Sequence, residues 1–134
     1  VEYIWLNMGS DQEQISSYRE VSKKQDASLY AFVSFVFQAG GTVAFNRDSN
    51  DTSDVTVIND GVIRKYSVYP AVSKTEKGQE FKLTAQSNGV VSVCACKYED
   101  ADVCYDFIEV PEAIAAEHAK KGRLYTINRK AKEI

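Results

Sequence analysis

The sequence is poor in the residues from which most catalytic and metal centres are built. Its 134 residues include one histidine, His118, one tryptophan, Trp5, and two prolines, Pro70 and Pro111. A single histidine removes multi-histidine metal sites and every Ser-His-Asp or Cys-His scheme not built on His118 itself. His118 follows Ile114 by four residues on a short amphipathic segment, where the simpler reading is a partly exposed helix residue. No glycine-rich loop of the kind that cradles phosphates occurs. The longest mostly apolar run, Leu29 to Phe37, is about ten residues, half of what a bilayer-crossing helix needs. Positive charge is not in excess either: 16 Lys and Arg stand against 19 Asp and Glu, a net charge of -3. Binding to a phosphate backbone depends on clustered cations, so the sequence predicts no nucleic-acid partner and no membrane insertion. An enzyme is not expected, nor a cofactor. The chain opens at Val1 without a leader, which reads as a mature or excised piece of a longer protein.

What is present is β-forming. A chain of this length can bury about two-thirds of its unfolded surface and make one core, and 44% of its residues are hydrophobic. Residues 7–28 are mostly polar without a sustained period, so residues 1–27 read as a short strand followed by a polar arm. From Leu29 onward β-branched and aromatic runs alternate with Gly, Asn, Asp and Ser, the pattern of an all-β antiparallel sandwich over 28–134. The strands fall at 28–37, 42–47, 54–59, 62–69, 79–86, 90–97, 103–109 and 123–128. Gly40-Gly41, Asn59-Asp60-Gly61 and Asn88-Gly89 mark tight hairpin turns. One short helix is predicted from Pro111 to Lys121, with Pro at its first turn, Glu112 at the positive end, Lys120 and Lys121 at the negative end, and Gly122 as its stop.

Cys94, Cys96 and Cys104 lie within eleven residues. Alternation places all three on one outward face of a hairpin. A Cys3His zinc site with His118 is disfavoured, because Cys-x-Cys on a strand does not bring both sulfurs onto a tetrahedral ion. Opposed residues of an antiparallel pair stand at disulfide distance, so the expectation is a bond from Cys104 to Cys94 or Cys96. With the sequon Asn50-Asp51-Thr52, the cysteines point to a secretory, oxidising compartment. Glu99, Asp100 and Asp102 read as a solvated turn, and Asn50 to Asp54 lacks the Gly and final Glu of a calcium loop. Basic residues toward the end of the chain, among them Lys120, Lys121 and Arg123, read as a solvated face.

The segments Gly41-Thr42-Val43-Ala44-Phe45-Asn46-Arg47, Val55-Thr56-Val57-Ile58-Asn59 and Gly78-Gln79-Glu80-Phe81-Lys82-Leu83 resemble, in order and texture, three strands of galectins. Pro111 to Ile114 and Gly122 to Ile127 are similar to the helical turn and last strand of that family. The resemblance implies a galectin-like sandwich. Ala44 stands where galectins carry the galactose-contacting His, Ile63 where they carry Glu, and their stacking Trp has no counterpart. A galectin-like domain without its sugar residues resembles those of apicomplexan microneme adhesins. That implies a non-enzymatic, secreted module of an adhesin complex, in the micronemes and at the cell surface, binding an EGF-like domain of a partner and assisting its folding and transport. Tyr30, Phe32, Val36, Asn59, Ile63 and Lys65 are the candidate partner-binding residues, because apolar side chains on both faces of 28–37 would leave one face uncovered. The alternative reading is a lectin of altered specificity that holds a glycan with Asn46, Arg47, Asn59 and Lys65.

Overall fold

The computed structural model describes residues 26–46, 52–97 and 104–128. The first described element corrects the sequence reading: residues 26–38 form a helix, α1, instead of a strand. Leu29, Phe32, Val33 and Val36 recur at the i, i+3, i+4, i+7 spacing of one helical stripe, and the last three are buried. The chain turns out of α1 at Gly40, whose φ of 87° lies in the left-handed region, and the N–H of Gly41 closes on the Val36 carbonyl at 3.0 Å. A Cβ on Gly41 would stand 2.7 Å from Val36 Cγ1, so the close approach of the chain to the helix requires glycine there. Gly40-Gly41 is therefore a helix stop and not a hairpin. The boundary drawn between residues 27 and 28 falls inside α1, and residues 1–25 lie outside those described.

Most of the remaining elements fall at predicted strand positions, but β4 was not predicted and the strand expected over 79–86 stops at Phe81. They are β1 (Thr42–Phe45), β2 (Val55–Asn59), β3 (Val62–Pro70), β4 (Ser73–Thr75), β5 (Gly78–Phe81), β6 (Val90–Lys97), β7 (Tyr105–Val110), helix α2 (Glu112–Lys121) and β8 (Tyr125–Ile127). Asn59-Asp60-Gly61 makes the expected hairpin between β2 and β3, with positive φ at both Asp60 (50°) and Gly61 (76°) as a type I′ turn demands. Asn88-Gly89 does not join a hairpin: β5 and β6 belong to different sheets. α2 begins after Pro111 and stops at Gly122 in the left-handed conformation, as expected.

The pairing is mixed. A five-stranded sheet runs in the order β1-β2-β3-β6-β7, and its centre, β3 beside β6, is parallel. A parallel pair needs a long crossover. Here β4 and β5 supply it, and they join β8 in a second, three-stranded sheet. The fold is thus β-rich, but it is a mixed sheet covered on both faces and not an antiparallel galectin sandwich. α1 covers one face: Phe32, Val33 and Val36 pack with Val55, Val57, Val68, Val93 and Ala95. The opposite face packs Cys94 and Cys96 against Phe81, Leu83, Val110 and Ala115, from β5, the segment after it, β7 and α2. Burial on both faces explains why β6 carries a nearly continuous apolar run. Gln79, itself buried, ties the second sheet to the first. Its Nε2 donates to the Lys97 carbonyl at 2.7 Å and its Oε1 accepts from the Lys97 N–H at 3.0 Å.

The cysteines lie differently from the expectation. Cys94 and Cys96 are interior, Cys104 is exposed, and none is bonded to another. The register sets Ile108 opposite Cys94 and Asp106 opposite Cys96, while Cys104 precedes β7. The assumption that the face carrying the cysteines looks outward fails because the second sheet and α2 cover it. Burial raises the Cys94 thiol pKa far above its usual range, with Cys96 beside it adding to the effect.

Candidate functional site

Where the first turn of β2 meets the middle of β3, the fold gathers a polar cluster that contains one half-buried carboxylate. Asp54 immediately precedes β2. Its N–H donates to the Tyr66 carbonyl at 2.9 Å, and its Oδ2 accepts the Val68 N–H at 2.8 Å. Burial raises the Asp54 pKa above its ordinary value, and the Val68 hydrogen bond opposes that rise in part.

Ser67 stands next to Val68 and is buried beside this carboxylate's anchor. Its Oγ contacts the Thr52 carbonyl at 3.0 Å and Gln86 Oε1 at 3.1 Å. Gln86 Nε2 donates to the Tyr69 hydroxyl and, at 3.2 Å, to Thr84 Oγ1. The Tyr69 hydroxyl and Thr84 Oγ1 are themselves 3.0 Å apart. The Ser87 N–H reaches Thr52 Oγ1 at 3.3 Å. Ser67 and Tyr69 share a face because they lie two apart on a strand. The segment 82–87 has no regular structure and carries Thr84 and Gln86 onto that face. A cleft of about 390 Å³ opens beside them, bordered by Thr84, Gln86, Ser87 and Asn88 on one side and by the start of α2 on the other.

Of the residues singled out from sequence, Phe32, Val36 and Asn59 line one cleft between α1 and the β2–β3 hairpin, while the others lie apart from it. Phe32 and Val36 are core residues, and Tyr30 sits on α1 with its ring 5.9 Å from that of Phe45. Ile63 is 66% exposed on β3 opposite Ile58, Lys65 is exposed opposite Thr56, and Asn59 ends β2. Asn46 Nδ2 donates to Ser53 Oγ, and Asn46 Oδ1 accepts from Thr56 Oγ1 at 3.1 Å, so this side chain braces the chain around Asp54. Arg47, Asn50 and Asp51 lie outside the described residues, as do Glu99, Asp100 and Asp102. His118 packs edge-on against Tyr125, with ring centroids 5.2 Å apart. The sequence reading weighed Asp54 only as the end of a rejected calcium loop and missed Ser67, Tyr69, Thr84 and Gln86. The available signal was the pair Ser67 and Tyr69 flanking Val68 in the inner half of the central strand β3.

No family model matches the chain, and no curated protein matches it. Among solved structures it is similar to the bacterial homing endonuclease I-Ssp6803I, with a TM-score of 0.61 and 13% identity, over 83% of this chain and 77% of that one. At that identity the likeness is one of fold. It overturns the galectin resemblance, whose three segments are ordinary strand and turn sequences that here lie on β1, β2 and β5, in two different sheets. The adhesin module, the EGF-like partner and the lectin alternative fall with it. The expectations of a chain that is not an enzyme and has no nucleic-acid partner also lose their footing beside an endonuclease of the same fold.

Nucleases commonly work through divalent ions held by carboxylates. Among the described residues no three His, Cys, Asp or Glu stand together to hold an ion, and Asp54 is the one carboxylate hydrogen-bonded within the cluster. The described residues therefore do not fit a metal centre of that kind. In fold the chain is similar to a bacterial homing endonuclease, and near the junction of β2 and β3 it carries the Asp54 carboxylate and a hydrogen-bonded set of neutral hydroxyl and amide groups.

Proposed function

We propose that this chain acts on nucleic acid, and that the polar cluster around Asp54, with the cleft beside Thr84 and Gln86, is where the polynucleotide is engaged. The observation that carries the reading is the half-buried Asp54 carboxylate, anchored on the Val68 N–H next to the hydrogen-bonded set Ser67, Gln86, Tyr69 and Thr84, in a fold similar to that of an endonuclease. Ser, Thr, Gln and Tyr side chains are among those that contact phosphate and sugar oxygens and so position a polynucleotide. The net charge of -3 then implies few phosphate contacts and modest affinity. Fluorescence polarisation with labelled duplex and single-stranded oligonucleotides, at low and high salt and with and without Mg²⁺, tests this. Saturable binding that weakens with salt and is weakened further by Gln86→Ala is expected. Gel analysis of the same mixtures reads cleavage. Absence of binding to either form at about 100 µM protein, the weak end of non-specific DNA binding, would overturn the reading.

A further inference from the structure

Asparagine directly precedes glycine once in the chain, at Asn88-Gly89. Both residues are exposed, in the turn that leads from the irregular segment 82–87 into β6. A single backbone hydrogen bond closes this turn, from the Val90 N–H to the Ser87 carbonyl at 3.2 Å. Among the described residues the Gly89 N–H has no acceptor. Nothing stands within 4 Å of the place a Cβ on Gly89 would take. With no side chain of its own and open space around it, the Gly89 nitrogen is free to rotate toward the Asn88 side chain. Other asparagines are held: Asn46 by Ser53 and Thr56, and Asn59 opposite Val62 in the β2–β3 ladder.

We infer that Asn88 is a site of spontaneous deamidation, with water as its co-reactant, and that the carboxylate so formed stands at the mouth of the cleft beside Thr84 and Gln86. Nucleophile and electrophile belong to adjacent residues, so the first step is intramolecular. The Gly89 nitrogen bonds to the Asn88 side-chain carbonyl carbon, and the bond from that carbon to its amide nitrogen breaks. The amide nitrogen leaves as ammonia, taking the proton that Gly89 gives up. Water then opens either carbon–nitrogen bond of the cyclic imide, leaving aspartate or isoaspartate. Nothing is oxidised or reduced, and a neutral side chain becomes an anion. Asn88 and Gly89 border the cleft together with Glu109 and Glu112. A further carboxylate there repels a phosphate. The consequence, that ageing of the protein weakens polynucleotide binding, rests on the nucleic-acid reading of this cleft.

The test ages the whole chain at mildly alkaline pH, beside a synthetic peptide of residues 84–92, and follows both by peptide mapping and mass spectrometry. The peptide carrying Asn88 is expected to gain the mass of one amide-to-acid exchange before any peptide carrying another asparagine, and to resolve into aspartate and isoaspartate forms. Asn88→Gln is expected to stop that gain. An Asn88 still intact in the protein when the synthetic peptide has fully converted overturns the inference. Asn88 is exposed, so the fold persists in each variant. Binding of a labelled oligonucleotide reads the consequence. Asn88→Asp is expected to bind about fivefold more weakly than the parent at low salt, the effect of one like charge about 4 Å away in water, and the gap should close as salt is added. Ageing should weaken the parent and leave aged Asn88→Gln equal to fresh Asn88→Gln. Asn88→Asp binding as tightly as the parent overturns the consequence for the cleft. A fresh parent that binds no oligonucleotide overturns the nucleic-acid reading instead, and the mass map still decides the modification.

Discussion

Replacing Gln79 by Met removes the buried amide that joins the two sheets while nearly keeping side-chain volume. Two hydrogen bonds to the Lys97 backbone are lost, at 2.7 and 3.0 Å. A net contribution of about 1 kcal/mol each, with an added cost where Lys97 groups go unpaired, gives about 2 to 4 kcal/mol. Stabilities of single domains are about 5 to 15 kcal/mol, so the loss is a large part of the total. For a chain of this size it corresponds to a fall in Tm of roughly 10 °C. Thermal unfolding followed by far-UV circular dichroism reads it, with a urea titration to confirm that the slope m is unchanged. Gln79→Glu should fall further, because the carboxylate can accept the Lys97 N–H but cannot donate to the carbonyl and places a charge in a buried site. A Gln79→Met protein melting within about 2 °C of the parent would refute the reasoning, since it would mean that apolar packing alone holds the sheets together.

Phe32→Ala truncates a core side chain on α1, and a loss of about 3 to 5 kcal/mol in urea unfolding is expected; an unchanged midpoint would place Phe32 outside the core. Asp54→Asn keeps an oxygen for the Val68 N–H and removes a charge that burial disfavours. The folded carboxyl has its pKa raised above 3.8, so its stabilising protonated form is present at lower pH and lost as pH rises through the raised value. The Asn variant should accordingly gain on the parent from pH 4 to pH 7, and a gap that shrinks with rising pH would contradict this. In the native protein a thiol reagent should modify Cys104 rapidly and Cys94 and Cys96 slowly, with all three reacting in denaturant without reductant; fewer than three would reveal a disulfide.

Strand positions were legible because alternation and turn chemistry are local, and the Asn59-Asp60-Gly61 hairpin formed as its residues demand. α1 was misread because Leu29 to Phe37 is rich in Phe and Val, which favour strands, and its apolar residues fit both periods. The stripe Leu29, Phe32, Val33, Val36 and the stop at Gly40 were the helical signals, and burial of three of those side chains decided between them. The parallel pairing of β3 with β6 could not be read, since it joins segments about 25 residues apart through a crossover whose strands belong to another sheet. The Asp54 cluster was hidden for the same reason. Thr84 and Gln86 come from an irregular segment about 30 residues beyond Asp54, and nothing local to either marks the meeting. Alternation correctly put Cys94 and Cys96 on one face but did not say what covers that face, and Cys104 falls outside β7.

The most direct test of the nucleic-acid reading is a backbone amide chemical-shift map of the chain titrated with an oligonucleotide duplex. The account predicts perturbations concentrated at Thr52 to Asp54, Ser67 to Tyr69 and Thr84 to Asn88, saturating together and receding as salt is added. A titration that leaves those amides unmoved, whether or not other surfaces respond, would contradict it.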